Sequence, residues 1–148
     1  MEQIDLNKRY QTMLTLWFAL LMSVVMYLVF LFVAAPPLST ESRTQTQSIL
    51  IVVLTMLGAI MVALSFLVKN RFLERSVDQQ NVVLVQQGTI VACAMCEVSA
   101  LLGLLERLVF GYSGYYLMFV LAAVGMLFHF PRRSHLEAAS FKSGNRPY

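Results

Sequence analysis

Charge is scarce in this sequence. Asp, Glu, Lys and Arg together make up 13% of 148 residues, while hydrophobic residues make up 58%. A soluble domain carries about 25% charged and roughly 45–50% apolar residues, so the balance excludes an ordinary soluble domain, a disordered tail and a coiled coil. With seven Gly and four Pro the chain has no fibrous repeat, and two Cys build no disulfide scaffold. Two His and eight acids, scattered along the chain, form no metal-ligand cluster. No Gly-rich phosphate loop is present, nor a Ser nucleophile paired with a base. The sequence therefore predicts no enzyme, no cofactor and no metal site. The composition that remains is that of an integral membrane protein.

The few charges stand in blocks. Thr12 to Ala35 is uncharged over 24 residues, Thr44 to Val68 over 25, Gln79 to Cys96 over 18 and Leu108 to Pro131 over 24. A spanning helix needs about 20 mostly apolar residues, and a chain crossing lipid must satisfy its own backbone. The expected fold is all-α: a four-helix transmembrane bundle with spans at 13–35, 48–68, 82–109 and 115–130. These lie in a membrane domain at 13–131, between an N-terminal segment at 1–12 and a flexible tail at 132–148. The first run is longer than the apolar core of a secretory signal, about 7–15 residues. Pro36 and Pro37 read as its stop rather than as part of a cleavage site.

Orientation follows from the cations. Lys8, Arg9, Lys69, Arg71, Arg75, Arg132, Arg133, Lys142 and Arg146 fall on one side, and only Arg43 and Arg107 on the other. The positive-inside rule then puts both termini and the middle loop in the cytoplasm. The expected location is a bacterial inner membrane, with the basic face attracting anionic lipids and no nucleic acid as partner. The second loop, Lys69 to Asn81, lacks Gly and Pro and is expected to extend its helices past the lipid. In the third, Gly111 and Gly114 permit a tight turn, and Tyr112, Tyr115 and Tyr116 suit the interfacial belt.

The third span holds the residues of most interest. Gly88, Ala92, Cys96, Ser99 and Gly103 form one small-residue stripe, with Thr89, Cys93 and Ala100 beside it. Such faces let membrane helices approach closely, and the stripe is expected to pack against other protein. Glu97 lies 15 residues past Val82, about 22 Å along a helix. An ionised carboxylate so deep costs at least ~2.5 kcal/mol, and an intramembrane acid is a candidate functional site. The bland alternative is a structural acid bonded to a helix carbonyl or to Thr89, Ser99 or Thr55.

The run Glu97-Val-Ser-Ala100-Leu-Leu-Gly103-Leu104 resembles the ion-binding helix of ATP synthase proteolipids, the c-type subunits. Their pattern is Glu, a small residue at +3, Gly at +6 and Leu at +7. The resemblance covers the hairpin of spans two and three, and implies that Glu97 takes up and releases H⁺ or Na⁺. Span two departs from the alternating glycines of that family, offering Gly58 with Ala59 and Ala63. The chain is also similar to small bacterial four-span membrane proteins that share such a hairpin.

Cys93-Ala-Met-Cys96 has the C-x-x-C spacing of membrane thiol oxidoreductases linked to quinones, but those need a second thiol pair. Cys in mid-helix behaves as a small hydrophobe. His129 is expected at the membrane interface, with a single haem or pigment as its rarer use, and His135 in the tail outside the membrane. Glu106 and Arg107 are expected to snorkel at the outer interface. Three functions stay open: an accessory or scaffolding subunit packed against other membrane proteins or itself, a proteolipid-like ion carrier using Glu97, and a thiol redox protein using Cys93 and Cys96.

Overall fold

The structure, a computed structural model, describes residues 2–34 and 44–140. Its described residues form helices α1 (Glu2–Ala34), α2 (Gln45–Asp78), α3 (Val82–Phe110), α4 (Tyr116–Phe128) and α5 (Arg133–Ser140), with a 3₁₀ turn at Ser113–Tyr115 ahead of α4. The fold is all-α. Helices α1, α2 and α3 are each long and apolar enough to cross a membrane, and α4 joins them if it is counted with α5 as one bent span. The chain is a multi-pass membrane protein.

Local chemistry sets the ends of these helices. Thr44 opens α2 with a capping box: its hydroxyl accepts from the Gln47 N–H, and the Gln47 side chain accepts from the Thr44 N–H. Lys69–Asp78 contains no breaker, so α2 continues through it and reaches 34 residues, about 51 Å. A sharp turn follows, with Gln80 at φ 47 and the Asn81 N–H bonded to the Ser76 carbonyl. Asn81 then caps α3 by accepting from the Val83 N–H. Gly111 ends α3 at φ 57, where its N–H bonds the Arg107 carbonyl and a side chain would be strained.

The fourth element differs from the expected span at 115–130. Helix α4 has 13 residues, about 20 Å, against a hydrocarbon thickness of about 30 Å. The 3₁₀ turn takes up its start, and Pro131 breaks the chain after it. The tail differs too. Arg133–Ser140 is a helix bent 46° from the segment before it, not a loose extension. Its Leu136 and Ala139 are buried against Met13 of α1 and Val85 of α3, while Arg132, Arg133, Glu137 and Ala138 stay exposed. That is an amphipathic helix, and Pro131 breaks the chain before it. The tail from Phe141 on, and the loop with Pro36, Pro37 and Arg43, lie outside the described residues.

Helix α3 packs against every other helix. A second core cluster, separate from that around Met13, gathers Val24 and Leu31 of α1, Val62 of α2, Cys96 and Ala100 of α3, and Phe119, Ala122 and Met126 of α4. Gly88, Ala92, Cys96, Ser99 and Gly103 are all buried. A Cβ on Gly88 would lie 2.5 Å from Phe72 of α2, and one on Gly103 would lie 2.7 Å from Met118 Cβ of α4. The small stripe is thus where neighbouring helices come closest to α3.

Candidate functional site: polar ties along the third helix

Three polar clusters lie along the bundle, each joining one helix to another. The first is built on Glu97. Its Oε1 accepts from Ser23 Oγ at 2.5 Å and from Tyr27 OH at 2.7 Å. Both donors sit on α1, one helical turn apart, so they face α3 together. Ser23 Oγ also lies 2.7 Å from the Leu20 carbonyl, and its single proton is shared between the two acceptors. Glu97 is half-buried, in the seam between α1 and α3.

None of the partners read from sequence is the one found. Thr89 turns back to the Val85 carbonyl of its own helix at 3.0 Å. Thr55 bonds a different acid. Ser99 Oγ is buried without a hydrogen-bond partner among the described residues, close to where a Cβ on Gly58 would project. The Ser23 and Tyr27 signal is present in span one as two hydroxyls four residues apart in the mostly apolar run after Thr15. Sequence alone gave no reason to pair them with a glutamate 70 residues away.

The second cluster lies at the Gly111 end of α3. Glu106 is fully buried and accepts from Thr55 Oγ1 of α2 at 2.8 Å. Its other oxygen has no hydrogen-bond partner among the described residues. Arg107 is 7% exposed, with its guanidinium 5.8 Å from the centre of the Tyr115 ring. The snorkelling expected of this pair is therefore overturned. The 3₁₀ turn and α4 pack against α3, which brings the Tyr115 ring to Arg107.

The third cluster lies toward the basic end. Ser65 of α2 sits 2.7 Å from His129 Nε2 and 3.5 Å from Cys96 Sγ, and also reaches the Val62 carbonyl at 2.6 Å. His129 is fully buried, with its ring 4.5 Å from that of Phe66. Beside it Trp17 Nε1 donates to the Met126 carbonyl at 2.8 Å, and its ring meets Phe130 edge-on at 5.1 Å. The interfacial surroundings expected for His129 are corrected: it follows the last turn of α4 but is enclosed by protein, with Ser65 and Phe66 of α2 against its ring. Its Nδ1 has no hydrogen-bond partner among the described residues.

Cys93 and Cys96 are both free thiols, 1% and 0% exposed. They lie inside the core rather than near an opening from which a redox partner would reach them. Among the described residues no group of three His, Cys, Asp or Glu is placed to hold a metal ion. His135 stands on α5, half-buried. Burial pushes its imidazole below its ordinary 6.5, and the nearby Lys69 and Arg132 push the same way.

Together these contacts connect α1 to α3, α2 to α3, α2 to the end of α4, and α1 to α4. Chemically, Glu97 is a carboxyl held by two hydroxyl donors, and Ser65 with His129 is a buried polar pair. No protein-family model, curated protein or solved structure matches the chain.

Proposed function

We propose that the chain is a small accessory subunit of a membrane assembly, a bundle that packs against other membrane proteins or a second copy of itself and performs no chemistry of its own. The observation that carries this reading is the way Glu97 is used. Its Oε1 is taken by Ser23 and Tyr27 from the neighbouring helix, so the acid's polarity is matched inside the subunit as a helix-to-helix tie. Thr55 with Glu106 and Ser65 with His129 follow the same scheme. Polar side chains deep in a membrane protein hold helices together when lipid supplies no other partner. In this reading the basic end faces the cytoplasm of a bacterial cell, by the excess of Lys and Arg there.

A second reading is favoured by one feature. Glu97 is half-buried rather than enclosed, and a carboxyl reachable along the α1–α3 seam has a route for a proton or a cation. On this reading Glu97 is the carrier that the proteolipid resemblance implies, with Ser23 and Tyr27 as its hydroxyl ligands.

One comparison separates the two. The purified protein is reconstituted into vesicles and proton or sodium flux is measured for the wild type and Glu97→Gln, while the membrane proteins that accompany each from mild detergent are identified. The accessory reading expects flux at the level of empty vesicles for both, and the same companions for both. Flux in the wild type that vanishes in Glu97→Gln would replace it with the carrier reading.

A further inference from the structure

The surface of α2 carries a feature that the helix-to-helix ties do not use. Beyond its apolar stretch lies a groove of about 270 Å³ lined by Leu67, Val68, Arg71, Phe72 and Arg75. Leu67, Arg71 and Arg75 follow each other at four-residue steps, so they form one stripe, with Val68 and Phe72 on the next. The groove is therefore apolar at one end and cationic at the other. Leu67 is 62% exposed, and both arginines are exposed. Among the described residues neither arginine is held in an ion pair.

Its depth is informative. Ile49 to Val68 is a run of 20 uncharged residues, about 30 Å of helix, which fills the hydrocarbon layer. Arg71 then lies about 4–5 Å beyond that layer and Arg75 about 10 Å beyond it. A headgroup layer is roughly 5–8 Å deep on each side, so Arg71 sits at phosphate depth and Arg75 reaches back from its outer edge. The acids of the same segment, Glu74 and Asp78, line a separate groove with Leu73 and Val77. They do not lie between the arginines and the lipid.

We propose that this groove is a binding site for one anionic phospholipid, its phosphodiester held between Arg71 and Arg75 and an acyl chain laid over Phe72, Val68 and Leu67. The guanidinium fork matches phosphate oxygens, and two forks four residues apart grip one headgroup from two sides. A free phosphate would use only the arginines and leave the exposed apolar half of the groove bare. A lipid covers both halves. A further groove, along α1, is lined by Lys8, Gln11, Thr12, Thr15 and Leu16. It offers a single cation and serves as the control.

The test is native mass spectrometry of the full chain, released from detergent micelles doped with phosphatidylglycerol or with phosphatidylcholine. The wild type is expected to retain one phosphatidylglycerol under conditions in which phosphatidylcholine is lost. Arg71→Gln/Arg75→Gln should bind it at least about tenfold more weakly, and Lys8→Gln should match the wild type. Both arginines are exposed, so the double variant should keep the wild-type helical content. Equal retention of the two lipids by the wild type would overturn the proposal whatever the variant does. So would undiminished phosphatidylglycerol binding in the double variant, or displacement of the lipid by an equal concentration of inorganic phosphate.

Discussion

Tyr27 of α1 donates its phenolic proton to Glu97 of α3 across 2.7 Å, linking residues that are 70 positions apart. Ser23, one turn earlier, donates to the same oxygen. An interhelical hydrogen bond inside a membrane protein is worth about 0.6 kcal/mol on average and up to ~1.7, so Tyr27→Phe should lower unfolding stability in detergent by that amount. Glu97→Gln keeps an oxygen that accepts from both hydroxyls and should change stability little. Glu97→Ala opens a cavity and strands two donors, at about 1–3 kcal/mol. Thermal unfolding of the three variants checks the order. A Gln variant less stable than the Ala variant would contradict the tie as described.

The packing around α3 makes a second, sharper comparison. A Cβ on Gly103 would lie 2.7 Å from Met118 Cβ and 3.1 Å from the Tyr115 carbonyl oxygen, and neither can move without shifting α4. A Cβ on Gly58 meets Met118 Cε, the free end of a flexible side chain. Overpacking costs about 1–3 kcal/mol where the neighbours are fixed. Gly103→Ala should therefore lower the melting temperature clearly, and Gly58→Ala should lower it less. The reverse order would mean that the α3–α4 contact is softer than its geometry.

Much of the bundle could be read from the chain because its strongest signals are local. Uncharged runs set the long helices, the lack of Gly and Pro over Lys69–Asn81 let α2 run on, and Gly111 marked the end of α3. The small stripe of α3 was legible for the same reason, since spacing alone puts Gly88 and Gly103 on one face. What failed depended on tertiary partners. Glu106 and Arg107 stand near the end of an apolar run and look interfacial. Their burial depends on Thr55 of α2 for Glu106 and on Tyr115 for Arg107, which only the packed bundle brings there. His129 is enclosed in the same way, by Ser65 and Phe66 of α2. The partners of Glu97 are not legible because Ser23 and Tyr27 come from a helix whose neighbour in space no local pattern identifies.

The Thr55–Glu106 contact allows the energetics of a fully buried acid to be measured. Glu106 has one oxygen bonded to Thr55 and the other without a hydrogen-bond partner among the described residues. Thr55→Val keeps the shape but leaves both oxygens without a hydroxyl donor, which should destabilise by about 1–3 kcal/mol. Glu106→Leu removes the group that needs the donor. In a double-mutant cycle, adding Thr55→Val to Glu106→Leu should then cost much less than Thr55→Val alone, a coupling of at least about 0.5 kcal/mol. Strict additivity would show that the hydroxyl does not support the acid.

Helix α5 carries one pH-sensitive group at the basic end, His135. His135 is half-buried there, and burial, with Lys69 of α2 and Arg132 beside it, holds the docked imidazole below its ordinary 6.5. An undocked α5 would return the ring to that ordinary value. The docked form therefore binds fewer protons, and acid favours release. The contribution to docking is complete above about pH 6.5 and is lost as the pH falls through the lower docked value. Leu136 and Ala139 still hold the helix by apolar contact with Met13 and Val85, so the expected effect is loosening of α5 and not collapse of the bundle. Amide hydrogen exchange over Arg133–Ser140, corrected for the intrinsic pH dependence of exchange, should show less protection at pH 5 than at pH 7.5. The amides of α3 should be unaffected. His135→Gln should abolish the difference while leaving protection at pH 7.5 in place. Equal protection at the two pH values in the wild type, or an unchanged difference in His135→Gln, would remove His135 as its cause.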